Sequence, residues 1–158
     1  MNNNNAFYQS AVDLIQNGKS EKAIGILSSF LKSTPDDETA LSLLSSAYLR
    51  VGQKSKAIEI SESACISHPD SYAAHADLGF LSMKLEQNDK AIFSFQKAVE
   101  INKRFYPAWV FLEKLYFESE QYSNAVNAEV EAEKYDPLEN DFRQIQKFMQ
   151  QENISKAE

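Results

Sequence analysis

The chain has 158 residues, 43% of them hydrophobic, which is enough for one domain with a sizeable core and too apolar for a disordered segment. A net charge of -7, one cysteine (Cys65) and apolar runs of about five residues argue against a basic stripe for nucleic acid, an internal disulfide or thiolate cluster, and a membrane-spanning helix. The charge is uneven: residues 118–141 set eight acids against Lys134 alone, and the rest of the chain is neutral. Met1 is followed by Asn2–Asn5, without the basic and apolar regions of a signal peptide, so a cytoplasmic location is expected.

Along the chain, apolar spacing predicts helices over 5–17, 20–33, 38–51, 54–67, 72–85, 88–101, 106–119, 122–135 and 140–150. Phe7, Ala11 and Leu14 open the first pair, and Ala23 and Phe30 the stripe of its second helix. Leu41, Leu44, Ala47, Tyr48 and Val51 recur at spacings of three and four before Gly52, which tolerates positive φ at a helix end. Ala57, Ile58, Ile60, Ala64 and Cys65 follow. Asp36 and Ser71 are candidate caps, as is Asn88 or Asp89 before Ala91–Ile101. In the fourth pair Trp109, Leu112 and Tyr116 precede Ala125 and Ala132. Phe142, Ile145, Phe148 and Met149 then predict a helix that caps the fourth pair. A second reading takes this tail, with Ala157, as the start of a fifth pair in a longer protein.

The pairs repeat every thirty-four residues. Ala23, Ala57, Ala91 and Ala125 keep that period, as do Leu44, Leu78 and Leu112. Pro35, Pro69 and Pro137 also keep it, with Lys103 standing in once. Such a period marks stacked helix-turn-helix units, none of which can bury its apolar face alone. Small residues at Ala11, Ser45 and Gly79 are expected to let the two helices of a pair approach closely.

On these residues the chain resembles the tetratricopeptide repeat family. The third pair is the best example, with Leu78, Gly79, Ala91, Phe95 and Ala98 at the family's spacing. The resemblance covers residues 4–139 and implies an all-α, right-handed superhelix: one domain spanning 1–158, with repeats at about 4–37, 38–71, 72–105 and 106–139. It implies a scaffold that binds a protein or peptide, with no catalysis and no cofactor. Two departures stand in the fourth repeat: Glu113 replaces a small residue and Glu129 an aromatic or apolar one. A carboxylate at a tight crossing costs desolvation unless it is exposed or paired. Two other readings stay open. The chain is an accessory region of a longer enzyme, such as a sulfotransferase or glycosyltransferase, or it is an assembly subunit of a larger complex.

Residue chemistry points the same way. His68 and His75 lack partners at metal-ligand spacing, with His68 placed to face terminal carbonyls and His75 to pack. Cys65 reads as a buried, inert thiol. No glycine-rich phosphate loop occurs, and Ser28, Ser29, Ser45 and Ser46 sit in no hydrolase motif. The resemblance puts the binding surface on the first helix of each repeat. Helical phase there presents Leu43, Ser46 and Arg50, then Asp77, Phe80 and Lys84, then Phe111 and Lys114. Tyr8, Val12, Ser42, Leu49, Met83 and Phe117 belong to the same face. Tyr8 and Val12 stand where the family's peptide-carboxylate clamp would begin, so an apolar helix or extended segment is the expected ligand. The competing surface is the acidic rear, where Glu129, Glu131 and Glu133 would meet a basic partner.

Overall fold

A computed structural model of the chain describes residues 4–138. These contain α1 (Asn4–Gln16), α2 (Ser20–Leu31), α3 (Glu38–Arg50), α4 (Lys54–Ser67), α5 (Tyr72–Lys84), α6 (Asn88–Ile101), α7 (Tyr106–Glu118) and α8 (Tyr122–Tyr135), with no strand among the described residues. The helices follow the apolar spacing closely. The main difference is α2, which stops at Leu31 rather than 33 because the hydroxyls of Ser33 and Thr34 turn back onto the Phe30 carbonyl. The helix expected over 140–150 lies outside the described residues.

Each hairpin turns at one residue with a left-handed backbone. These residues are Gly18 (φ 72°), Gly52 (φ 78°), Glu86 (φ 59°) and Glu120 (φ 60°), spaced by the repeat. In every case the next N–H reaches a carbonyl five residues back, as in Gln53 to Tyr48 at 2.9 Å and Gln121 to Tyr116 at 2.8 Å, which closes the helix end. At the helix starts, Asp37 and not Asp36 caps α3, its carboxylate accepting from the Ala40 N–H at 2.8 Å. Asp37 directly precedes the first helical residue in an extended conformation, the geometry a cap needs. Ser71 caps α5 as expected.

The helices fall into two compact units, α1–α6 and α7–α8. In the first, each helix packs on its predecessor, and α3 also touches α1 and α5. Its core joins Ala11, Ile15, Ala23 and Leu27 to Ala40, Leu44 and Ala47, with Phe7 stacked on Phe30 at 4.5 Å. A second cluster joins Leu41, Ala64 and Ala74. Between α5 and α6 the fully buried Phe95 ring lies over Gly79; a Cβ at Gly79 would come within 2.8 Å of it. In the second unit α7 packs on α8, and Ala108, Leu112, Leu115, Ala125, Ala128 and Ala132 are buried.

One hydrogen bond accounts for both His75 and the break in the proline period at Lys103. The ring N–H of Trp109 donates to the Lys103 carbonyl at 2.8 Å. One repeat earlier, His75 Nε2 donates to the Pro69 carbonyl at 3.1 Å. His75 therefore takes the role of the tryptophan, and because the acceptor is a backbone carbonyl, lysine can stand where proline does.

Two substitutions test this packing. Gly79→Leu should destabilise the chain by about 1–3 kcal/mol, since the added methylenes meet Phe95; a denaturant melt equal to that of the parent would contradict the placement of α5 against α6. Glu120→Gly should stabilise it by about 0.5–1 kcal/mol, because relief of the left-handed strain exceeds glycine's entropic cost. The midpoint of a urea melt reads that gain.

Candidate functional site

Between α3 and α5 the first unit holds a groove of about 250 Å³. From α3 come Ser42, Leu43, Ser45, Ser46 and Leu49; from α5, Asp77, Phe80, Leu81 and Lys84; from α4, the buried Ser61. The groove exists because of what occupies the helix crossing beneath it. Gly79 faces Phe95 in the third hairpin, but the equivalent positions of the second hold Ser45 and Ser61. Their hydroxyls lie 2.7 Å apart, and Ser45 donates to the Ala57 carbonyl at 3.0 Å. Ser61 must then donate to Ser45. The pair is satisfied, as buried hydroxyls require, yet it fills far less space than a phenyl ring.

Asp77 is the charged wall of this groove. Ser42 Oγ–H donates to its Oδ2, tying α3 to α5. Burial pushes the Asp77 carboxyl above the usual range; the Ser42 bond pulls the other way, and the Glu38 charge adds to the rise. Phe80 lies edge-on to Phe95 at 5.1 Å, which holds its ring in place.

Of the eight residues expected at the site, Leu43, Ser46, Asp77, Phe80 and Lys84 line this one groove. Arg50 does not line it and is exposed at the end of α3. Phe111 and Lys114 belong to α7 in the second unit, where Phe111 is half-buried and Lys114 faces Glu118 at 3.8 Å. Ser61 lies on α4, a second helix, and so falls outside the first-helix face expected from the sequence. The repeat register carried the signal: a serine stands where Leu27 and Phe95 stand in the neighbouring repeats.

The second unit has its own groove, of about 290 Å³, between α7 and α8. Glu113, Phe117, Tyr122, Ala125, Val126 and Glu129 line it. The two glutamates that depart from the pattern thus meet at one crossing. Glu129 is exposed and Glu113 half-buried, so the crossing is solvated rather than paired. Phe117, expected on the first-helix binding face, is 65% exposed and packs edge-on with Tyr122 at 5.7 Å. On the acidic rear, Glu131 already pairs with Lys134 at 3.4 Å.

The histidines and the cysteine are held structurally. His68 does not face the carbonyls of its own helix; its Nε2–H donates to the Asp36 carbonyl at 2.6 Å, while Ser67 donates to the Asp36 carboxylate. Cys65 is half-buried rather than buried. Among the described residues no group of three or more His, Cys, Asp or Glu is arranged to hold a metal, and no helix is long and apolar enough to cross a membrane.

Residues 72–105 match the tetratricopeptide repeat family. No curated protein matches the chain in sequence. Among solved structures, a crystal structure of MamA protein is similar with a TM-score of 0.71 at 22% identity, covering 87% of this chain and 75% of that one. A MamA fragment from Desulfovibrio magneticus RS-1 gives 0.68 at 21% identity, covering 81% and 72%. The structure of Naa15/Naa10 bound to HypK-THB gives 0.74 at 15% identity, covering 87% of this chain but 21% of that one. At these identities the likeness establishes the fold, an all-helical repeat array.

Burial, with the charges of Asp77, Glu62 and Glu38 behind it, pushes the Cys65 thiol up to about 11. Both causes disfavour the thiolate. Alkylation by iodoacetamide should therefore be slow at neutral pH and keep accelerating as pH rises past about 10, where a free thiol has levelled off. A rate that plateaus by about pH 10 would contradict this environment.

Proposed function

We propose that this chain, a tetratricopeptide-repeat protein, is a non-catalytic scaffold that holds an extended or helical segment of a partner protein in the groove between α3 and α5. One observation carries the reading. Seven of the residues that helical phase assigns to the binding face line a single groove, whose floor is kept open by the Ser45–Ser61 pair. Its walls combine an apolar contact surface, Leu43, Leu49 and Phe80, with a few polar groups, the composition expected of a binding groove. Helical repeat arrays serve partner binding more often than chemistry, and the hydroxyl–carboxylate pair of this groove, Ser42 with Asp77, has no histidine beside it in the lining to complete a catalytic set. The partner is a protein rather than a nucleic acid, since the groove carries one cation and one carboxylate and offers no basic stripe. We place this activity in the cytoplasm.

The acidic rear of α8 is the rival surface. Contacts to exposed Glu129 and Glu133 would weaken steeply with salt, whereas an apolar groove would not. The test is selection from a phage-displayed random peptide library with the full chain as bait. Recovered peptides should bind Phe80→Ala more weakly by about 2 kcal/mol or more. A circular dichroism melt of the variant separates lost binding from lost fold. Peptides that ignore Phe80→Ala but release at moderate salt would move the site to the rear.

A further inference from the structure

The groove between α3 and α5 has two charged ends of opposite sign. Asp77 and Lys84 lie seven residues apart on α5, which is about 10 Å along the helix axis. Phe80 stands between them, with Leu43 and Leu49 on the facing wall. Among the described residues neither charge has an ion-pair partner. The Asp77 carboxylate has one neutral donor, Ser42, whereas an ionised carboxylate offers about four acceptor positions. It is half-buried in a groove whose nearby side chains are serines, so there is room beside it for another group.

A part-desolvated carboxylate next to open space is complementary to a cation, and an exposed lysine two turns along the same helix is complementary to an anion. We propose that the groove reads an extended peptide segment of alternating charge, with a lysine or arginine side chain on Asp77 and an aspartate or glutamate on Lys84. An apolar side chain rests on Phe80 between them. The two charged residues of the ligand are about three positions apart, since one turn of polyproline II covers three residues at ~3.1 Å each. The opposed charges also fix the direction in which the segment lies. This inference rests on the groove being the binding surface and adds the chemistry of what occupies it.

The probes are the peptides recovered by the phage selection, synthesised with a fluorophore and titrated by anisotropy against the full chain. The recovered sequences should share a basic residue with an acidic one about three positions away. Asp77→Asn should weaken binding about tenfold, the usual size of a lost charge-assisted contact, and Lys84→Gln, the loss of an exposed charge, about threefold. Replacing the peptide's basic residue with glutamine should cost the parent chain as much as Asp77→Asn does, and cost Asp77→Asn little further. The amide introduced by Asp77→Asn can still accept from Ser42; should that variant lose helicity, Lys84→Gln and the peptide substitutions decide alone. Peptides that need Phe80 yet carry no such pair, or bind both charge variants unchanged, overturn the charge reading and leave the groove standing. Peptides indifferent to Phe80→Ala, or no recovered peptides, overturn both.

Discussion

Everything in this fold depends on how closely two antiparallel helices approach at one crossing in each hairpin. The crossing is built from a residue on the first helix and one sixteen positions later on the second: Ala11 with Leu27, Ser45 with Ser61, Gly79 with Phe95, Glu113 with Glu129. In three hairpins both members are buried or, at Gly79, within van der Waals reach of the partner ring. A large residue on one side requires a small one on the other, because interiors tolerate neither overlap nor voids. The pair of serines meets the same demand with less volume and a hydrogen bond. The pair of glutamates cannot, since two carboxylates at one dry crossing would be left unpaired.

Function follows from these exceptions. Where the crossing is filled by Phe95, the hairpin closes and Phe80 is held rigidly against it. Where it is filled by serines, the space a ring would take is left beside α5 and becomes a groove. Where it is filled by glutamates, the crossing stays wet, and Tyr122 and Val126 are 56% exposed. A repeat protein can thus vary one pair per unit and change its surface without changing its backbone.

Hydroxyl-to-carboxylate bonds lock successive first helices of the α1–α6 unit into register. Tyr8 donates to Asp37 at 2.6 Å, Ser42 to Asp77 and Ser71 to Glu38. Each joins residues about one repeat apart and at least half-buried, where a bond to a charged acceptor is worth more than on the surface. The Tyr8 phenol is shifted upward, chiefly by its bond to Asp37. Asp77 has a double role in this scheme: it holds α3 to α5, and its remaining oxygen surface faces the groove.

By itself the sequence determined the helices, their pairing and the repeat, because apolar spacing, the recurring alanines and the turn residues are all local and all agree. Gly79 and Gly52 were legible for the same reason, each demanded by one ring or one backbone angle. Where a helix starts was not resolved to the residue: Asp36 and Asp37 are chemically alike, and only the backbone conformation at Asp37 made it the cap. Nor did it show that Arg50 stays clear of the groove or that Ser61 lies in it. Helical phase says which way a side chain points along its own helix. Whether that direction ends in a core, a groove or water depends on the volume of residues on other helices, and only packing in three dimensions brings those together.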